Sequence, residues 1–183
     1  MTKIVKLRVL LDFEEDVFRD IEVATSNSFQ DLHNMVQEAF GFDNSQMASF
    51  YMSNEDWEKG QEITLMDMGQ AEEPIPLMSS VSVGDMIEHQ GQKLLYVFDF
   101  FLMWCFYIDV ISVTENTDNI ILPRIVQSFG DAPEQYSKSA DLTFDFESTA
   151  PSDDKEEPSM EEELQAMFSV VGTEFDAEEG HSF

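Results

Sequence analysis

Residues 94–113 read LLYVFDFFLMWCFYIDVISV, twenty positions with few polar side chains, and the fold turns on whether they cross a membrane or build a sheet. That length suits a bilayer-crossing helix. Two carboxylates, Asp99 and Asp109, lie inside the run, and each would cost roughly 2.5–3.5 kcal/mol near the middle of a membrane. The aromatic and β-branched content fits strands instead. The segment therefore predicts two buried strands, residues 94–100 and 104–113, joined by a tight turn, and no membrane span.

Toward the N-terminus, residues 3–11 alternate Ile4, Lys6 and Arg8 with Val5, Leu7 and Val9. Residues 17–24 set Val17, Arg19, Ile21 and Val23 opposite Phe18, Asp20 and Glu22. Alternation of this length marks half-buried strands. The acidic turn between them predicts a hairpin, although it lacks the Asn-Gly or Asp-Gly pair that favours one. Ser28 opens the clearest helix. Its hydroxyl can cap the first turn, Asp31 sits at the positive end of the helix dipole, and Leu32, Met35, Val36, Ala39 and Phe40 form an apolar stripe. Gly41 is placed to end the helix through its freedom at positive φ. Residues 48–53 predict a third strand, 54–60 a polar loop, 63–66 a short fourth strand, 71–76 a loop and 82–87 a short Ser-capped helix. Residues 122–126 and 130–136 predict an ordered closing arm. The expected class is α+β, with strand pairs alternating with two helices (ββ-α-ββ-α-ββ) in a mixed or antiparallel sheet, all within a domain at 1–136.

Charge divides the chain differently. The 183 residues include 9 Lys and Arg against 38 Asp and Glu, a net charge of −29. Such a chain repels phosphate, which argues against direct nucleic-acid binding. The sign favours cationic partners, a basic protein or loosely held metal cations. It is equally the sign of plain solubility or of a salty cell interior, with no specific partner. Residues 137–183 hold fourteen acidic residues and two lysines, a net of −12. Low hydrophobicity with this charge predicts a disordered acidic tail. Within it, Ser159 and Glu162 form a capping-box pair, and Met160, Leu164, Met167, Phe168 and Val171 recur at helical spacing. That pattern predicts a short amphipathic helix able to lie in a partner's groove or on its own domain.

Chemistry-bearing residues are sparse. His33 follows Asp31 and Leu32 on the helix, where adjacent positions do not face one another, so it reads as a satisfied, half-buried histidine. Cys105 lies between Trp104 and Phe106, an apolar setting that leaves a thiol protonated and inert. It is the one cysteine, so neither an intramolecular disulfide nor a multi-cysteine zinc site is expected. His33, His89 and His181 lack ligand spacing, and Asp12, Glu14, Glu15 and Asp16 do not match a calcium loop. Gly41, Gly60 and Gly69 occur singly, without a phosphate-cradling loop. No cofactor and no metal are expected. Trp57 stands among Glu55, Asp56, Glu58 and Lys59 and reads first as a ring folded over the sheet edge, second as an interface anchor. The candidate partner-binding residues are Trp57, Met160, Leu164, Met167 and Phe168. The first residues lack an apolar signal core, and a cytoplasmic location is expected.

Four stretches carry a family resemblance: DLHNMVQEAFGF at 31–42, LLYVFDF at 94–100, Pro123-Arg124-Ile125-Val126, and Ala132-Pro133-Glu134. Residues 4–136, which hold them in this order, resemble the plasmid pRiA-type ORF-three-like family. The resemblance implies an α+β fold of strand pairs alternating with helices, and it implies no reaction. Many members follow the aromatic strand with Gly-Asp and then Trp-x-His. Here Phe101-Leu102 replaces the pair and Phe106 stands at the histidine, while Gln46, Met47 and Ala48 occupy a region where members often carry histidines. The resemblance thus implies that a polar site in other members is missing here. The expected function is a protein-binding or regulatory module without catalytic activity. The alternatives are a hydrolase or transferase using carboxylates and His33, and an acidic mimic of nucleic acid.

Overall fold

The computed structural model describes residues 2–69 and 71–138, all of them within the unit Met1–Leu142. The expected tail at 137–183 falls, beyond Lys138, outside the described residues. In chain order the elements are β1 (Lys3–Leu11), β2 (Phe18–Ala24), α1 (Phe29–Phe40), β3 (Ala48–Ser53), β4 (Lys59–Thr64), α2 (Val83–Met86), β5 (Lys93–Phe98), β6 (Trp104–Glu115) and β7 (Arg124–Phe129). The strands make one seven-stranded sheet in the order β4-β3-β5-β6-β1-β2-β7. Every neighbouring pair is antiparallel. The fold is thus α+β and dominated by its sheet.

Residues 94–113 do fold as two strands and a turn. β5 and β6 pair with Tyr96 opposite Phe106 and Phe98 opposite Trp104. β5 ends at Phe98, two residues before the expected limit. There Asp99 takes positive φ, and its Oδ1 accepts the N–H groups of Phe101 and Leu102, both at 3.0 Å. A short polar side chain tolerates that conformation and caps the turn itself.

Two further boundaries depart from expectation. The fourth strand runs over Lys59–Thr64 rather than 63–66, and so takes in Lys59 and Gly60 of the expected loop. β4 is an edge strand, where ladder hydrogen bonds rather than apolar side chains hold the chain, and alternation is a weak guide there. The closing arm contains a seventh strand, so the order is ββ-α-ββ-α-βββ. All six residues of β7 are exposed, which removes the burial pattern that announces a strand.

α1 forms for the reasons its sequence states. Ser28 Oγ accepts the Asp31 N–H at 3.1 Å, the Asp31 carboxylate accepts the Ser28 N–H at 2.8 Å, and Gly41 closes the helix at φ 70°. Its inner face packs on the sheet through Phe29, Leu32, Val36 and Phe40. Beneath lie Val5, Leu7, Val9, Ile21, Phe50, Tyr96, Phe98, Trp104, Phe106 and Ile108. The rings interlock edge to face, Phe40 on Phe106 at 4.9 Å and Phe29 on Phe50 at 5.2 Å, a geometry aromatic quadrupoles favour.

Arg19 bolts three elements together from within this core. Its guanidinium donates to the carbonyls of Ala39, Phe18 and Phe129 at 2.8–2.9 Å and lies over the Phe40 ring. A cation thereby meets a free carbonyl in the last turn of α1 and ties it to β7. Burial lowers the Arg19 pKa from its ordinary value. On the opposite face of the sheet, Arg8 grips the Asp20 carboxylate through two bonds of 2.8 and 3.0 Å. Lys93 there bonds Asp109 at 2.8 Å.

Candidate functional site

His33 was expected to be half-buried; it is fully buried. Gln37, one turn later on α1, is buried beside it, and both reach the Tyr96 hydroxyl of β5. The bonds fix the histidine tautomer. Nε2 faces the Asn44 Oδ1 acceptor and must carry the proton. Nδ1, at 2.7 Å from Tyr96 Oη, is then the acceptor. The tyrosine hydroxyl donates to it and accepts from Gln37 Nε2 at 2.9 Å. Gln37 Oε1 accepts the Asn44 N–H at 3.1 Å, and Asn44 Nδ2 donates to Asn34 at 2.9 Å. Burial lowers the His33 pKa and raises that of Tyr96, so both stay neutral near pH 7. Neither ring nitrogen of His33 meets a carboxylate. The network ties α1, the loop after it and β5 together, with every member already bonded.

Cys105 and Asp43 are likewise half-buried or engaged. Cys105 is half-buried in β6, and burial pushes its thiol pKa up. Phe106, at the position where the resemblance sets a histidine, is fully buried against Phe40 and Tyr96. Ser45, Tyr136 and Gln135 donate to the Asp43 carboxylate and hold it well below the usual carboxylate range. Gln135 in turn takes the Trp104 indole N–H on its carbonyl at 3.0 Å. These bonds fasten the closing arm to the loop after α1. Among the described residues, no group of three or more His, Cys, Asp or Glu side chains is placed to hold a metal. Among the same residues, no helix is long and apolar enough to cross a membrane.

Trp57 lies in the β3–β4 turn at φ 59°, with its ring folded back on the sheet. It meets Tyr107 edge to face at 4.9 Å, and the Lys93 ammonium sits 4.7 Å over it. Glu55 and Asp109 flank that same ammonium. Met160, Leu164, Met167 and Phe168 lie outside the described residues.

What the sequence did not disclose is a groove at the β4 edge. Residues 65–69 and 71–77 belong to a loop whose ends are held together: the Thr64 N–H donates to Pro76 O at 2.9 Å and the Met78 N–H to Thr64 O at 2.8 Å. Compact loops closed this way often carry function. Inside it, Asp67 accepts the Gly69 N–H at 2.8 Å, turning the chain. Between the loop, β4 and the β5–β6 turn opens a cavity of about 390 Å³, lined by Glu62, Thr64, Met66, Asp67, Met68, Ala71, Ile75 and Phe100. Met66, Met68, Phe100 and the neighbouring Phe101 are 60%, 58%, 41% and 69% exposed. Met66 and Phe100 are far apart in sequence and meet through the β4-β3-β5 order, so no local pattern announces the groove.

Comparison with known proteins agrees with this architecture. A crystal structure titled as a protein of unknown function, MM3350 from Methanosarcina mazei Go1, superposes with a TM-score of 0.62. It is 17% identical and covers 96% of this chain and 93% of its own, a likeness of fold alone. No curated protein matches. The sequence matches the family described as Plasmid pRiA4b ORF-3-like protein over residues 3–181, past the 4–136 span of the sequence resemblance and through most of the acidic segment. On that match, covering nearly the whole length, the chain belongs to the Plasmid pRiA4b ORF-3-like protein family.

Proposed function

We propose that this protein works by binding a protein partner, without catalysing a reaction of its own. The observation that carries this reading is a division of labour among the described side chains. The histidine, tyrosine and amide groups with chemical potential are bonded to one another inside the fold. Large apolar side chains stand in solvent at the β4 edge and the adjoining turn. Exposed apolar surface rimmed by polar residues supports recognition, whereas a neutral histidine with both nitrogens engaged has no free site for a proton from substrate.

The test places a photo-crosslinking amino acid, one position at a time, at Met68, Phe101 and Val126 in the full chain expressed in its own cells. All three are exposed, so the substitutions leave the core intact. A discrete light-dependent adduct with a second protein from at least one position is the expected result. Absence of such an adduct at all three positions overturns the reading.

A further inference from the structure

The groove at the β4 edge has a composition that specifies its occupant. Its large exposed apolar side chains are methionine and phenylalanine, and unbranched, polarisable methionines adapt to apolar partners of varied shape. Its loop wall is acidic: residues 65–69 and 71–77 carry Asp67, Glu72 and Glu73 and no lysine or arginine. Asp67 lines the groove, and exposed Glu72 and Glu73 follow Ala71 on the same loop. The polar groups deeper in are already paired: Glu62 accepts from Ser49 at 2.7 Å, and the Thr64 hydroxyl is shared between Ser49 and Met66 O. A small polar ligand would therefore find few free partners to orient it. A second copy of the chain, or a nucleic acid, would bring negative charge to a negative rim.

We propose that this groove docks a basic amphipathic segment of a partner protein. Large apolar side chains seat against Met66, Met68 and Phe100, and flanking lysines or arginines face Asp67, Glu72 and Glu73. Apolar anchoring holds the segment, and the charges steer it and select against acidic segments. The inference rests on the binding-module reading and names the chemistry of the partner.

The test titrates the full chain, carrying ¹³C-methyl methionine, with a synthetic helical peptide that has leucine and phenylalanine on one face and lysine on the other. Met66→Leu and Met68→Leu assign the two methyl signals. The expected result is that both signals move. Met68→Gln combined with Phe100→Ser should weaken binding by about tenfold or more, as loss of a central anchor does. Asp67→Asn with Glu72→Gln and Glu73→Gln should weaken it and flatten its salt dependence. The same peptide with glutamate for lysine should fail to bind. Thermal unfolding confirms that the variants fold.

Binding that leaves both methyl signals and the groove variants unaffected would assign the attraction to the acidic C-terminal residues and overturn the proposal. Equal binding of the glutamate peptide, or no binding of the lysine peptide, would overturn it too. In each of those cases a crosslinked adduct from Phe101 or Val126 would preserve the wider reading, whereas absence of any adduct would remove both.

Discussion

On the helix-covered face of the sheet, Phe106 touches Phe40 and Tyr96 and no solvent; in the β5–β6 turn beside the β4 edge, Phe101 stands largely in water and Phe100 partly so. The two regions draw on the same residue types for opposite ends. Inside, aromatic rings fill volume, and the polar groups His33, Gln37 and Tyr96 are bonded to one another and to Asn44. At the edge, methionine and phenylalanine are left uncovered beside carboxylates. The difference teaches where to look for function when the described residues display no reactive cluster: in apolar surface the core did not need.

The sharpest way to break this contrast is to truncate one phenylalanine from each region. Phe106→Ala should cost about 3–5 kcal/mol, the transfer loss plus the cavity left behind. Phe101→Ala should stay within about 0.5 kcal/mol. Urea unfolding of both variants reads the difference, and equal losses would show that the turn belongs to the core. Next in size is the buried network. Tyr96→Phe keeps the ring and removes the hydroxyl, stranding His33 Nδ1 and one donor of Gln37, at about 1–3 kcal/mol. A neutral result in the same assay would mean that solvent reaches the network.

The smallest effect is a slope with pH. Burial holds the folded-state pKa of His33 below the ordinary 6.5. The unfolded chain then binds the proton more readily, so stability is complete above about pH 6.5 and falls as the pH drops toward the folded-state value. The slope from this one group is at most about 1.4 kcal/mol per pH unit. Comparing urea midpoints at pH 7.5 and 5.5 in the wild type and in His33→Gln isolates it. An unchanged difference in the variant would show that His33 is free to titrate in the native fold.

Much of the fold was legible because burial and local geometry coincide in it. Ser28, the stripe from Leu32 to Phe40, and Gly41 each announce α1 through a contact made within a turn or two. Residues 3–11 and 17–24 alternate because one side of each strand meets the core. Where burial does not alternate, legibility fails. β7 is exposed along its whole length and reads as an arm, and Lys59 and Gly60 belong to an edge strand held by backbone bonds. The buried network is half legible: the sequence marks His33 as satisfied, but Gln37, four residues later on the same face, does not announce itself as its neighbour because a polar residue breaks an apolar stripe. Trp57 reads first as a ring folded over the sheet edge; the ring does fold back, but past the edge onto Tyr107 of β6, an interior strand. The groove was hidden because its walls come from the loop after β4 and the turn after β5. Their meeting is a property of strand order.

That strand order also sets a timetable. β1, the first strand synthesised, fills the gap between β6 and β2, and its partners in β6 extend to Glu115. The Arg19 bond to Phe129 spans 110 residues. Closing such long loops delays folding, because chain entropy must be given up before the contacts are made. On the ribosome, the N-terminal hairpin therefore emerges with one edge of β1 unpaired. It stays so until β6 has been made. The nascent chain, rather than the finished domain, is the form most exposed to mispairing, and a break anywhere before β6 leaves the seam at the centre of the sheet unmade.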